Sequence, residues 1–475
     1  MDYETLSAFN PHDPPDANKL TKTVADLEQR GLLQYDGRTQ RHDLHPVVRG
    51  VTAGWMEDED KQRYGQRVVD HFSTVSHSPY EQAETLEDLR PVLNAVRTWL
   101  MLGQFRLAAA GFRGDLAVAI YANVEAHSEA LSLLRAFFPK GWEKRPRDLE
   151  AADASYIANS AALALDSCGE SKEALAALSA SLRIELEKED WNETCTRLGN
   201  VARILDGQNL LAKSLRMNEM TLELATEGGG RNELFRSRLF LLGDQARIGE
   251  WTEAEATWQL LHQMGRDWPR KLYRPGHAEW RHAQFQSWQE TLEEDDLVAA
   301  ERLTAEGKNR LGIRSLHSLR GAWRLEQGEW ALASASFAEA VRMARESGIP
   351  DAESETGLAL AKHHLGQLVE PQREAERLAQ LRQPAHRLLA QLWNALGDPA
   401  QANHHALAAY RWAWADGEPY VHRYELTKTT ELLQQMNVPI PNLPPYDPAK
   451  DEPFPWEADV RAAIEKLRAE KEESE

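Results

Sequence analysis

Cysteine is nearly absent: two in 475 residues, Cys168 and Cys195. That is too few for a disulfide framework, and their spacing matches no metal-ligand pattern. The sequence therefore predicts two free core thiols in a reducing, cytoplasmic compartment. No apolar run approaches the roughly 20 residues that cross a bilayer, and no early stretch joins a basic start to an apolar core. Positive charge is scarce: 55 Lys plus Arg stand against 75 Asp plus Glu, a net charge of −20. That balance argues against nucleic acid or an anionic membrane as main partner. Catalytic signatures are missing too. HExxH, G-x-S-x-G, paired CxxC, G-x-G-x-x-G and the phosphate-cradling G-x-x-x-x-G-K-[ST] do not occur. Gly307-Lys308 is followed by Asn309 instead of a hydroxyl residue, and Gly228-Gly229-Gly230 reads as an inter-helix linker. His363-His364 and His404-His405 are adjacent pairs, which point about 100° apart on a helix. His277 and His282 are five apart. Neither arrangement chelates well, so no metal or catalytic site is expected.

What is present begins with an atypical opening. Lys19 to Arg30 puts Leu20, Val24 and Leu27 on one helical face, and Gly31 ends that helix. Two short β-capable runs then flank Asp36-Gly37, a turn pair suited to a hairpin. Pro46 follows at a position where a helix's first turn tolerates a missing N–H. Helix, hairpin, helix is the second half of a winged helix. Met1 to Asn18 is expected not to supply the first half, because NPHDPPD favours turns.

The string GLLQYDGRTQRHDLHPVVRGV resembles the end of the winged-helix domain in STAND-type NTPases, the NB-ARC and NACHT-like signalling switches. By that resemblance His45, in an LHPxxR-like motif, touches the β-phosphate of a bound nucleotide in the resting state. An imidazole at a helix N-terminus sits beside free N–H groups that favour an anion. The phosphate loop is absent, so ATP or ADP is implied only when an NTPase domain is joined. Taken alone, His45 reads as a helix cap.

From about residue 58 the apolar spacing is helical and the turns are short. LGQFRLAAA (102–110), CGESKEALAAL (168–178), IGEWTEAEATW (248–258), QGEWALASASF (327–337) and LGDPAQANHHA (396–406) each place an Ala five residues after a Gly. The pairs are Gly103/Ala108, Gly169/Ala174, Gly249/Ala254, Gly328/Ala333 and Gly397/Ala402. Gly closes one helix, and the small Ala lets two antiparallel helices approach closely. Phe112, Leu178, Trp258 and Phe337, four residues further on, fill the space between units. Weaker copies fall near Ala130, Ala212, Ala299 and Gly366, giving nine or ten units. The pattern resembles the tetratricopeptide repeat, TPR. The fold class expected is an all-α, TPR-like right-handed α-solenoid superhelix, with a truncated winged-helix segment at the N-terminus; an irregular α-solenoid of another type is the alternative. Trp251, Trp258, Trp330 and Trp393 fall at repeat-packing positions.

The ending changes character. The proline-rich run from Met436 should be extended, anchored by Tyr446, Phe454 and Trp456. An amphipathic helix with Val460, Ile464 and Leu467 follows, expected to cover the last repeat's apolar face; an exposed peptide-docking tail is the alternative. AYRWAWADGEPYVHRYEL is similar to the C-terminal ends of TPR-bearing STAND proteins. The segments are then 1–56, partial winged helix; 57–436, repeat solenoid; and 437–475, strap and capping helix.

Without a catalytic constellation, the candidate site is the concave groove. Counting back from the Gly anchors places Asn159, Asn200, Arg203, Arg236 and Arg247 on the lining helices, a basic and amide-rich row suited to a carboxylate-bearing protein or peptide. The expected function is non-enzymatic protein binding, like the sensor half of a STAND switch, a class whose repeats recognise a trigger, in bacteria often a foreign protein. The NTPase would be either an upstream part of a longer gene or a separate subunit docking at the wing. Two other classes compete: a self-standing TPR adaptor, and a winged-helix transcription regulator. Against the regulator, residues 1–50 hold more acidic than basic side chains.

Overall fold

Left-handed turn residues punctuate the chain where the anchors place them: Gly103, Gly169, Gly249, Gly328 and Gly397 have φ between 71° and 88°. The alanines five residues on, Ala108, Ala174, Ala254, Ala333 and Ala402, are each 0% exposed. The computed structural model describes the chain except for residues 1–2, 11–14, 38–39, 76–78, 80–81, 114, 268–274, 308 and 474–475; at 46, 49, 53, 115, 266 and 267 only the backbone is described. The prolines at 11 and 14 and Lys308 thus lie outside the described residues. Two compact units are formed, Met1–Ala117 and Val118–Glu475.

In the first unit, α1 (Tyr3–Ala8) precedes α2 (Ala17–Gln29), which Asp16 caps by accepting from the N–H groups of Asn18 at 3.0 Å and Lys19 at 3.1 Å. The antiparallel strands β1 (Leu33–Asp36) and β2 (Arg41–Leu44) pair Leu33 with Leu44 and Asp36 with Arg41. Leu20, Val24 and Leu33 form a small core, with Leu6, Leu27 and Leu44 against it. A short helix thus precedes NPHDPPD, the stretch expected to favour turns, and it contributes Leu6. Then come α3 (Pro46–Trp55), α4 (Asp58–Thr74), α5 (Arg90–Met101) and α6 (Phe105–Phe112). The last two form a hairpin around Gly103 that buries Ala108 and Phe112 completely.

Helix α7 (Asp115–Val118) spans the division between the units; in the second unit one π-helical turn (Ala119–Asn123) leads to α8 (His127–Leu134). Helical hairpins follow: α9 (Ala151–Ser167) with α10 (Ser171–Lys188), α11 (Trp191–Gly207) with α12 (Leu211–Glu227), and α13 (Arg231–Ile248) with α14 (Trp251–Asp267). Next are α15 (His277–Trp288) with α16 (Glu294–Glu306), α17 (Arg310–Glu326) with α18 (Trp330–Glu346), α19 (Ala352–His364) with α20 (Pro371–Ala379), and α21 (His386–Ala395) with α22 (Pro399–Trp414). Helices α23 (Arg423–Gln435) and α24 (Glu457–Glu472) complete the series. The fold is an all-α, TPR-like solenoid with one small β-hairpin. No described helix is long and apolar enough to cross a membrane.

Two hairpins lacked a strong sequence anchor because another residue makes the turn: Asn209 (φ 65°) between α11 and α12, and Glu290 (φ 61°) between α15 and α16. In α16 the buried small residue is Ala300, while Ala299 is exposed, one position from expectation.

A buried polar network ties the first hairpin to the second. Arg197, 2% exposed, donates to Ser181 Oγ at 2.7 Å and Ser155 Oγ at 3.3 Å, and pairs with Glu193 at 2.6 Å and Glu185 at 3.5 Å. Burial lowers the Arg197 pKa, and the two glutamates oppose that loss of charge.

Late hairpins of this unit return to its early turns. Arg382 donates to the carbonyls of Cys168, at 2.6 Å, and Gly169. Asn209 donates to the Trp412 carbonyl at 2.8 Å and meets the His422 ring, which stacks on Trp412 at 4.2 Å. Asp416 accepts from the Ala212 N–H at 2.8 Å, and Arg314 pairs with Glu125 at 3.2 Å.

The strap also runs further than expected. Val438 and Leu443 do pack on the last helices, and the Trp414 indole donates to the Pro444 carbonyl at 2.8 Å. Helix α24, however, does not cap the last repeat; it packs against α12. Arg216 holds Asp451 and Glu457, the latter at 3.2 Å. Trp456 is 2% exposed and donates to Ser179 Oγ at 3.3 Å, while Val460 and Ile464 are fully covered.

Two outcomes are expected. Arg197→Ala removes the guanidinium that bridges Ser155, Ser181 and Glu193, while Lys188 still holds Glu185 at 2.6 Å, and should cost about 1.5–3 kcal/mol, read by urea unfolding; a loss below about 1 kcal/mol contradicts the network's role. Trp456→Ala should cost ~3–5 kcal/mol and accelerate amide exchange in α10 and α12. Faster exchange confined to α22 and α23 would show that the helix caps the last repeat after all.

Candidate ligand groove and interior cavity

The first helices of successive hairpins, α9, α11 and α13, carry Asn159, Asn200, Arg203, Arg236 and Arg247. Each of the five takes part in a cross-link between neighbouring helices, and of the five only Asn159 and Asn200 bond each other. Asn200 donates to Asn159 Oδ1 at 2.7 Å, Arg203 to Asp166 at 2.8 Å and Arg236 to Thr196 Oγ1 at 2.6 Å; Arg247 pairs with Asp206 and lies 3.8 Å from Asp244. Partners across the direct rungs are 37 to 41 residues apart, which is the hairpin repeat measured along the chain.

The basic character read from the sequence is thereby reduced. Arg203 and Arg247 face aspartates, and only Arg236 of the three has a neutral partner. Asp244 is buried beside Asp206, and burial first, then that neighbour, pushes its carboxyl up to about 7. Asn218 donates to Asp244 at 2.7 Å.

Similar rungs continue beyond α13. Ser354 bonds Ser318 at 3.0 Å, Arg314 lies 3.5 Å from Asp351, and Arg387 Nε donates to Glu425 at 2.8 Å. Here α15, α17, α19, α21 and α23 flank a partly open cavity of about 240 Å³. Its walls include Trp280, Trp288 and Tyr424, and its charged lining is Arg314, Arg387, Glu326, Asp351, Glu353 and Glu425.

Both guanidinium groups are already engaged. Arg387 clasps Glu425 with Nε and Nη2 and donates to Glu326 at 2.9 Å. Burial disfavours its charge, but Glu425 and Glu326 more than compensate and hold its pKa above the ordinary value. Arg314 lies between Glu125 and Asp351. Glu353 has no such partner among the described residues. Its side chain is exposed and opens on the cavity, whose walls partly desolvate it. Desolvation, then Glu425 and Asp351, push its carboxyl up to about 7, with Arg387 pulling the other way.

None of these cavity residues was a sequence candidate. They come from separate hairpins and form no motif. The signal that does exist is the helical repeat itself, because Arg314/Asp351 and Arg387/Glu425 are 37 and 38 residues apart.

His45 is exposed as the cap of α3, its Nδ1 accepting the Val47 N–H at 3.3 Å. An open depression of about 620 Å³ in the same unit is lined by Tyr3, Glu4, Glu28, Tyr35, Gln40, Arg41 and His42, without His45. Other histidines serve as ring partners: His282 stacks on Trp258 and His364 on Trp330, both at 4.0 Å, and His405 Nδ1 meets His386 Nδ1 at 2.9 Å. Among the described residues no group of three or more His, Cys, Asp or Glu is disposed to hold a metal. Cys195 is buried, which pushes its thiol up to about 12, whereas Cys168 is only half-buried.

No family model matches the chain, and no curated protein is similar to it. Among solved structures, it is similar to the apo form of RapI, with 14% identity over 55% of this chain and 95% of that one, at a TM-score of 0.39. It is also similar to a STAND protein with a tetratricopeptide repeat sensor from Pyrococcus horikoshii, with 11% identity over 98% of this chain and 63% of that one, at 0.42. Another is the Cut9–Hcn1 hetero-tetramer of the APC/C, with 12% identity over 79% of this chain and 68% of that one, at 0.41.

The raised Glu353 carboxyl sets a pH dependence. Its folded pKa, about 7, lies above the ordinary 4.5, so the folded chain holds a proton there that the unfolded chain has released. Stability therefore falls as pH rises through that window and is flat above it. Glu353→Gln should melt with the wild type at pH 4 and at a higher temperature at pH 8. A variant that melts lower at pH 8 would mean that the carboxylate is stabilised in place.

Proposed function

We propose that the chain is a non-enzymatic, protein-binding TPR module working in the cytoplasm, its ligand lying along the α9–α11–α13 row. The observation that supports this reading is that Asn159, Asn200, Arg203, Arg236 and Arg247 all cross-link adjacent first helices. Each hairpin contributes the same helix to that row, so it offers a partner repeated polar contacts in one direction. Arg236 is the position of choice for a carboxylate, because its present partner is a neutral hydroxyl.

A second, finer reading makes the module the sensor half of a STAND-type switch that answers to an NTPase domain or subunit. It is favoured by α3, where Val47, Val51 and Trp55 are four residues apart and 65%, 42% and 82% exposed. That apolar stripe, with His45 at its head, is the docking face on this reading. His45 would meet nucleotide phosphate only there. A self-standing adaptor needs neither feature. A DNA-binding role has the charge of residues 1–50 against it, six Lys plus Arg facing eight Asp plus Glu.

A pull-down from native lysate with mass spectrometry tests both readings. The expected result is a protein recovered by the wild type and reduced at least tenfold on Arg236→Glu. Recovery that also needs ATP and the Trp55 side chain favours the switch, and recovery indifferent to both favours the adaptor. Identical recovery by wild type and Arg236→Glu would remove the row as the binding surface. Purified chain should not hydrolyse ATP; turnover abolished by His45→Ala would overturn the non-enzymatic reading.

A further inference from the structure

The cavity among α15, α17, α19, α21 and α23 is unbalanced in charge. Two guanidinium groups and four carboxylates line it. Arg314 also serves Glu125, which is 2% exposed and has a carboxylate oxygen, Oε2, with no hydrogen-bond partner. The nearby Lys428 does not redress the count, since Glu290 takes it at 2.6 Å. Glu353 is the lining carboxylate that no cation holds among the described residues; it is exposed and opens on the cavity, so a cation entering there meets it directly.

The walls indicate which kind of cation fits. Trp280, Trp288 and Tyr424 present rings, whose faces attract cations. The molecule already uses these surfaces in that way nearby: Arg281 lies 4.6 Å from the Trp280 ring centre and Lys428 5.6 Å from that of Tyr424. Ser315 and Ser318 add small polar groups to the wall. A volume near 240 Å³ is below the roughly 300–1,000 Å³ of sites for whole drug-sized ligands. It suits a group the size of one basic side chain.

We propose that this cavity is a receptor for an organic cation, an ammonium or guanidinium group on a short alkyl stem, with Glu353 as its counter-ion and the rings of Trp280, Trp288 and Tyr424 as its walls. The cation has two possible sources: a free small amine, or a Lys or Arg side chain of a bound polypeptide. The second source rests on the protein-binding reading above; the first stands without it.

The test uses the purified full chain, titrated by calorimetry and tryptophan fluorescence. The probes are n-butylammonium, n-butylguanidinium and neutral n-pentanol, then acetyl-Gly-Lys-Gly-amide, acetyl-Gly-Arg-Gly-amide and their norleucine counterpart. Millimolar or tighter binding of the cations is expected, with the neutral compounds at least tenfold weaker. Because the chain carries a net charge of −20, surface association is expected as background, and two variants isolate the cavity. Glu353→Gln should weaken binding at least tenfold, and Ser315→Phe, which fills the space, should abolish it, both with unchanged circular dichroism. Binding of small cations alone assigns a free amine. Binding of the capped Lys or Arg peptides as well assigns a side chain, whether or not any lysate protein is found. Cations that bind no better than n-pentanol, or that bind Glu353→Gln as well as wild type, overturn the proposal.

Discussion

The contact on which the architecture rests is the meeting of two antiparallel helices at an alanine that no solvent reaches. Ala174, Ala254, Ala333 and Ala402 each sit one short turn beyond a left-handed glycine. A larger side chain there would push the two helices apart and displace the next hairpin with them. Where the contact holds, each hairpin presents its first helix in the same orientation as the one before. Phe337 shows the complementary requirement: its ring fills space that a Cβ on Gly321 or Gly357 would invade at 2.7 Å and 2.5 Å. Small and large residues are thus matched across helices, and the matching fixes the stacking.

From that stacking comes the ladder of polar rungs. Side chains about one repeat apart in sequence become neighbours in space, so an Arg on one helix finds an Asp or Glu on the next. Such pairs orient the helices more than they stabilise them, since partly exposed ion pairs contribute about 0–1 kcal/mol each. Their chemical effect is larger. They neutralise most of the charge on the inner helices, and the groups left over become conspicuous. Arg236 remains in the α9–α11–α13 row, and Glu353 remains in the cavity.

The repeats were legible in the sequence because their cause is local. A Gly that must be left-handed and an Ala that must be small leave a pattern visible in five copies. The copies turned by Asn209 and Glu290 were faint for the same reason, since other residues reach that conformation less often and mark it less clearly. The candidate row was legible as positions but not as contacts. Asn200 and Arg203 could be placed on a lining helix, yet the partners that engage them are on another hairpin. The cavity was not legible at all. Arg314, Glu353, Arg387 and Tyr424 meet only because late helices curve round on one another, a long-range outcome that no window of sequence contains. The strap shows the same limit: its apolar stripe predicted a covering helix, and the neighbour it covers, α12, is set by the path of the whole unit.

Arg216 and Glu457 are 241 residues apart in sequence. At ribosomal rates of about 5–20 residues per second, roughly 10 to 50 seconds separate the emergence of the two. Throughout that interval α10 and α12 have been made while Trp456, Val460 and Ile464 have not. The nascent chain thus carries a vacant apolar seat of its own, and a chaperone has that long to occupy it before the rightful tenant arrives.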